Sequence, residues 1–456
     1  MIVLAIAVYV VVQLGIAAWA ARGTSSDDDY LVAGRSLGVG AVAMSIFATW
    51  FAAETVIATA GETAQFGLAG ARVEPFAYGL GIIVLALFVA YRIRAGGHFT
   101  VAGFLGARFG VQVEVLSAMI IALSATVWAA AQLNALAVLI SASTELPFLG
   151  AIVIGTGLIL AYTLIGGLKG DVATDVVQGG VTILGLMILF VLVLNQAGGV
   201  AGVPVSALSF STEGETAFDK LDIWLVPVLG TIVAQEAISR LLGAKTPEVA
   251  RKGALLGAAI YLTAGLLPVG IGLVGPTLGL ELGTGDDFFT SIAEAVLPPW
   301  LFIMVSGALL SAILSSVDSA LLAASAPITE SGIRRLLPDL TPQGRLRAAR
   351  LATISAGLVA AIVAASGQSI RDIVLTASEV SALLVVPVVM SMLTSEGGRS
   401  AALVSIIVGG VALVGLNWTL GVPGGFILSI GLAGAAFGIT LAFERLQPAV
   451  TNSSRL

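Results

Sequence analysis

Residues 172–197 read VATDVVQGGVTILGLMILFVLVLNQA, an apolar run whose one charge, Asp175, lies near its start. At about 1.5 Å of rise per residue it is long enough to cross roughly 30 Å of hydrocarbon. A window of about 20 residues finds about thirteen such runs along the chain. They fall near 2–21, 39–60, 72–91, 112–143, 147–166, 172–197, 222–242, 250–280, 299–330, 350–366, 370–394, 400–417 and 424–443. Of the 456 residues 58% are hydrophobic and 11% charged. Mean hydropathy is +1.05. That leaves too little polar side chain to cover a water-facing globule. The expected class is an all-α polytopic membrane protein.

Composition also excludes functions. With no cysteine and one histidine, His98, thiolate or His-based metal centres and a Cys nucleophile are ruled out. A net charge of −6 does not suit nucleic-acid binding. No G-x-x-x-x-G-K-[ST] loop occurs, so uphill movement would draw on an ion gradient rather than ATP. No nucleophile–His pair or metal motif supports an enzyme, and no obligatory protein partner is indicated. The Ala18-Trp19-Ala20 triplet has the look of a cleavage site, but no basic segment precedes it, so the first run is expected to be retained.

Basic residues set the expected topology. With the amino terminus outside and the carboxyl terminus cytoplasmic, all of the 21 Lys and Arg except Arg72, Lys220 and Arg371 fall on the cytoplasmic side. Arg240 is counted there. The outer loops are acidic, with Glu213, Glu215, Asp219, Asp222, Asp286 and Asp287 read as a solvated surface. The layout is a first helix and loop (1–38), two five-span blocks (39–197 and 222–394) and two last helices with a short tail (395–456). The blocks start on opposite sides of the membrane, the arithmetic of an inverted repeat.

Carboxylates inside spans are costly and therefore informative. Six qualify: Glu54, Glu74, Asp175, Glu236, Asp318 and Glu379. Each contacts an ion or solute, or pairs with a neighbouring helix. The strongest cluster is Ser311 to Ser319, where helical spacing puts Ala312, Ser315, Ser316 and Ser319 on one face. Hydroxyls and Asp318 are hard oxygen donors, as a small alkali cation requires. Serines also permit close helix packing, but packing needs no carboxylate. A second cluster, Tyr162 to Gln178, runs from a glycine-rich cytoplasmic turn into a helix bearing Asp175 and Gln178; Asp171 reads as a helix cap. In the third, Ser45 to Thr55, small residues surround Trp50 and Glu54 at mid-span, where a helix can unwind against a cavity. Trp418 reads as an interfacial residue, whereas Trp50 and Trp128, with Gln132 and Tyr78, are candidates to frame a solute.

These pieces resemble the sodium/solute symporter family, which includes proline, glucose and choline carriers. The resemblance rests on Asp29 to Arg35, Ala48 to Glu54, Gly166-Gly167-Leu168 with Thr174 to Gln178, Arg240 to Lys245, and Ala312 to Ser319, in family order. It implies a five-plus-five inverted repeat of the amino-acid transporter (LeuT-like) type, in the cell membrane, with the second and seventh spans broken. It implies sodium symport of a small organic solute by alternating access. The implied sodium ligands are the carbonyls of Ala48, Phe51 and Ala312 and the hydroxyls of Ser315 and Ser316. Some members hold a second ion at the positions of Asp175, Asp318 and Ser319; Asp318 stands where they carry serine, which leaves sodium or a proton open there. The solute site is expected at Trp50, Glu54, Glu74, Tyr78, Trp128, Gln132, Gln235 and Glu379. The motifs are most similar to the choline and proline branches, implying a cationic or zwitterionic solute, although a tryptophan of the choline cage would align near Ala234. A proton-coupled carrier using Asp175 and Asp318, or a transporter-like receptor, are the rival readings.

Overall fold

The computed structural model describes residues 11–446 apart from 14, 21, 23–25, 145 and 367, so half of the 2–21 run and the tail from 447 lie outside the described residues. Among the described residues there is no strand; one isolated bridge joins Leu37 to Ala244. Helix α1 (Val11–Ala20) and the short α2 (Asp27–Val32) lead into the core. Next, α3 (Val39–Trp50) stops partway through an apolar span. The chain turns non-helical at Phe51 and Ala52, then resumes as a π-turn (Glu54–Ala58) and α4 (Thr59–Phe66). A following span contains α5 (Tyr78–Val84) and α6 (Ala90–Ala95), and α7 (Val101–Phe109) lies in the connection after it. Then come α8 (Val111–Ser143) and the long α9 (Phe148–Gln196), which joins two spans across a kink.

The second half repeats the break. Helix α10 (Ala217–Val233) ends at Ala234, whose ψ of 116° is non-helical, and α11 (Gln235–Leu242) resumes at once. Beyond it lie α12 (Pro247–Val274), a short α13 (Phe288–Val296) over the α4 end, and α14 (Pro299–Pro327). The single turn α15 (Arg334–Leu336) precedes α16 (Pro342–Ala364), α17 (Ile370–Ala382) and α18 (Val385–Leu393); α19 (Arg399–Ala412) and α20 (Gly425–Leu446) pack on each other. Among the described residues ten segments are long and apolar enough to span a membrane, and three shorter apolar helices accompany them.

Close helix contact places the site. Helix α14 packs against α9, α8 and α3, while α12 lies along α3. Gly253 and Gly257, four apart on α12, allow this approach, since an added Cβ would sit 2.6 Å from Val42 and 2.9 Å from the Ala43 carbonyl. At the α9 kink Gly167 has φ 53° and ψ −165°, and its missing Cβ would lie 2.6 Å from the Tyr30 ring. Burial raises the Tyr30 phenol to about 12, so it stays protonated and donates to the Thr163 carbonyl at 3.4 Å. The glycine-rich turn read in sequence is a sharp bend at Gly167 between two helices, packed against α2.

The acidic loop residues expected outside are not simply solvated. Glu215 grips the buried Arg72 through both oxygens, and this guanidinium holds its carboxyl down to about 2. The pair thus persists across neutral and mildly acid pH. Asp219 completes a capping box with Thr216, Asp222 accepts from the Ile427 N–H at 3.0 Å, and Asp286 accepts from the Ile370 N–H at 3.5 Å. A free backbone donor at a helix start takes a carboxylate readily, and loop composition alone does not reveal it.

Replacing Gly167 with Ala should destabilise the fold by about 1–3 kcal/mol, because a side chain at positive φ is strained and Tyr30 fills the space. Thermal melting in detergent would read this. An unchanged melting temperature would show that the kink is not held by Tyr30.

Candidate ion and solute site

The last turn of a helix leaves carbonyl oxygens without intrahelical partners. In α3 each one can be traced. The Phe47 carbonyl takes the Phe51 N–H at 2.8 Å, and the Trp50 carbonyl takes the Thr55 hydroxyl at 3.0 Å. The Ala48 carbonyl meets the Ser315 hydroxyl at 2.9 Å, and the Thr49 carbonyl meets the Ser316 hydroxyl at 2.9 Å. Both serines also reach the Ala312 carbonyl at 3.0 Å. Five neutral oxygens from two helices thus crowd one buried junction. A hydroxyl can rotate to turn its lone pairs inward, so these oxygens have the chemistry that a hard cation requires. Of the five sequence-expected ligands, Ala48, Ala312, Ser315 and Ser316 meet here. Phe51 stands in the break, one residue beyond α3, and the Thr49 carbonyl joins the contacts in a way sequence did not foresee. Among the described residues no three acidic or imidazole groups form a metal cluster, so neutral oxygens are the donors available.

Below this junction lies a buried charge network. Arg240, expected on the cytoplasmic side, is fully buried on α11. Its guanidinium donates to Asp171 and to the Ser319 hydroxyl, to the Ser45 hydroxyl at 3.1 Å and to the Glu236 carbonyl at 3.1 Å. Asp175 lies 3.6 Å away and accepts from Ser45. Asp318 accepts the Ser319 N–H at 2.9 Å. The residues expected at a second ion site, Asp175, Asp318 and Ser319, are therefore together, but a tethered guanidinium stands among them. Asp171 is a principal partner of that cation and not merely a cap. Asp175 Oδ1 and both amide atoms of Gln178 have no hydrogen-bond partner among the described residues. The missed signal was depth: Arg240 follows Glu236 by one helical turn inside an apolar span, where a cation demands a counterion.

Next to the junction, on the other side of Trp50, is a small cavity lined by Trp50, Glu54, Glu74, Tyr78, Trp128 and Glu236 among others. Trp50 and Trp128 flank it with ring centroids 5.6 Å apart. Glu54 accepts from Trp128 Nε1 at 2.9 Å and Gln132 Nε2 at 2.6 Å. Gln132 Oε1 in turn takes the Ala53 N–H at 3.2 Å, so this glutamine pins the break and does not line the cavity. Glu74 accepts from Thr55 at 3.0 Å and from Tyr261, and the Tyr78 hydroxyl lies 2.6 Å from that of Ser378. Two expected residues are elsewhere. Gln235 accepts the Val101 N–H at 2.9 Å and donates to Ser239, tying α11 to α7. Glu379 accepts from Asn417 at 2.8 Å and Trp418 at 2.6 Å, facing the last helices. Their neighbours Glu236 and Ser378 line the cavity instead, because one residue along a helix rotates about 100°. Tyr261 and Ser378 come from distant helices with no local signal.

Two broken helices around an oxygen nest and an adjoining cavity define a cation-coupled secondary transporter of the inverted-repeat type. A model described as the sodium:solute symporter family matches residues 30–409, and the chain belongs to that family. It is 24% identical to high-affinity choline transporter 1 of Drosophila melanogaster, over 92% of this chain and 73% of that one. It is likewise 24% identical to the sodium/pantothenate symporter of Escherichia coli (90% and 89%), and 25% identical to the proline transporter PutP of Bacillus subtilis (76% and 77%). Among solved structures, a Na+-coupled sialic acid symporter in a substrate-bound outward-open state superposes with a TM-score of 0.84 at 17% identity, covering 97% and 98% of the two chains. Mhp1, a nucleobase-cation-symport-1 family transporter, gives 0.60 at 19% identity, covering 92% and 96%.

Arg240→Met should cost about 3–5 kcal/mol, because it leaves Asp171 buried without its partner cation. Adding Asp171→Asn should restore part of the loss. A double-mutant cycle of melting temperatures checks this; strict additivity would show that the two side chains do not interact.

Proposed function

We propose that this sodium-coupled symporter binds its driving ion at the Ala48, Phe51, Ala312, Ser315 and Ser316 oxygens, with the Thr49 carbonyl close by. The solute, a small organic cation or zwitterion, occupies the cavity between Trp50, Trp128, Glu74 and Tyr78. The observation that carries this reading is the contact of the Ser315 and Ser316 hydroxyls with the carbonyls of Ala48 and Thr49, which immediately precede Trp50 in the chain. An ion held there fixes the end of α3, and Trp50 with it, so ion binding pre-organises one wall of the solute cavity. That is a coupling free energy between two sites, and each ligand must strengthen the other.

The path to one face of the membrane is supported by a second small cavity that shares Glu54, Glu74 and Tyr78 with the first. It is lined at one end by the Glu62–Arg371 ion pair. In the expected topology, with the amino terminus outside the cell membrane, that face is external. The Asp175, Asp318 and Ser319 group would then lie toward the cytoplasm, where a second ion would have to share the carboxylates with Arg240.

Ser316→Ala should raise the sodium concentration for half-maximal uptake about tenfold, the scale of one lost contact to a charged group. Uptake into proteoliposomes, with and without a sodium gradient, measures it. An unchanged sodium dependence would clear Ser316 of the ligand role. Uptake driven by a pH gradient at zero sodium would favour a proton at Asp175 and Asp318, and solute binding without movement would favour a receptor.

A further inference from the structure

The charge inside the solute cavity is one-sided. Its charged lining residues are Glu54, Glu74 and Glu236, and no lysine or arginine lines it. The three carboxylates differ in what they have left to offer. Glu54 has one oxygen on Trp128 and the other on Gln132. Glu74 Oε2 is taken by Thr55 and Tyr261. Glu236, only 5% exposed, accepts no hydrogen bond from another side chain among the described residues. It sits in the first turn of α11. Arg240, one turn on, makes no hydrogen bond to this carboxylate among the described residues, because its guanidinium donates to Asp171, Ser319, Ser45 and the Glu236 carbonyl.

Two consequences follow. A helix start exposes N–H donors and a partial positive charge, which suits an anionic group on a solute. Here the Glu236 carboxylate already sits at that end of α11, so a solute carboxylate would meet like charge. Conversely, a carboxylate enclosed in hydrocarbon with spare lone pairs demands a donor, and a cation above all. We infer that Glu236 selects the solute: the transported molecule is an ammonium that still carries an N–H, held by a charge-assisted hydrogen bond to Glu236 with its aliphatic part against Trp50 and Trp128. A quaternary ammonium satisfies the aromatic faces but offers Glu236 no donor. A zwitterion brings a carboxylate that no cationic side chain awaits. This inference rests on the placing of solute in this cavity.

The test is thermal melting of the full chain in detergent, in sodium or potassium chloride, with ethanolamine, N-methylethanolamine, N,N-dimethylethanolamine and choline as probes. The series keeps the charge and removes N–H donors until choline has none. Proline and glycine betaine serve as zwitterions. The first three amines should stabilise the protein more in sodium than in potassium, with choline about tenfold weaker than N,N-dimethylethanolamine and the zwitterions weaker still. Glu236→Gln should weaken the amines at least about tenfold while sodium alone still stabilises the variant, and Glu236→Asp should recover part of the affinity. Choline equal to its dimethyl analogue, a zwitterion bound more tightly than the amines, or no amine effect in sodium would each overturn the inference. The wild-type series decides this even if a variant does not fold. Loss of sodium's own stabilisation of the wild-type chain would instead overturn the ion site.

Discussion

A helix that ends inside a membrane exposes carbonyl oxygens that lipid cannot satisfy, and the end of α3 is built around that constraint. Its four terminal carbonyls find the Phe51 N–H and the hydroxyls of Thr55, Ser315 and Ser316. Two of these donors belong to α14, so satisfying the break fixes where α14 sits against α3. Hydroxyls are suited to this because they can donate to a carbonyl in one state and turn a lone pair toward a cation in another. The cost of an unsatisfied carbonyl in hydrocarbon is several kcal/mol, which makes the alternatives few.

The second constraint is electrostatic. Arg240 belongs to α11, the continuation of the other broken span, yet its guanidinium touches Asp171 of α9, Ser45 of α3 and Ser319 of α14. Burial removes screening, so this single side chain joins both breaks through a strongly felt interaction. Ser319 follows Ser315 by one helical turn, and Thr49 Oγ1 lies 3.4 Å from the Ser319 hydroxyl. The charge network and the oxygen cluster at the end of α3 are therefore in physical contact. A change at either alters the position of the helices that build the other. The solute cavity is reached by the same route, through Trp50 at the end of α3.

The long apolar runs, the acidic residues among them and the serine helix were legible because each is a local property of the chain. Hydrocarbon thickness sets run length, and helical spacing sets which serines share a face. Ser315, Ser316, Ala48 and Ala312 followed from residue type and family resemblance together. Glu379 and Gln235 were misplaced for the opposite reason. Both lie within one residue of a cavity-lining position, and which neighbour faces the cavity depends on the rotation of α17 and α11, which only packing fixes. Arg240 was counted by its distance along the chain from a loop, although it is buried against Asp171 and Asp175 of α9.

By itself, then, the sequence determined that the chain crosses a membrane many times as helices, that oxygen donors and carboxylates are buried in it, and which family pattern they follow. These depend on composition and on spacings within single helices. The tertiary structure alone decided which carbonyls are freed and met, that a guanidinium stands beside Asp175 and Asp318, and that Glu236 rather than Glu379 faces the cavity. Those outcomes depend on contacts between residues up to 300 positions apart, as for Tyr78 and Ser378. No local pattern encodes them, because a side chain's partner is chosen by the helix that comes to lie beside it.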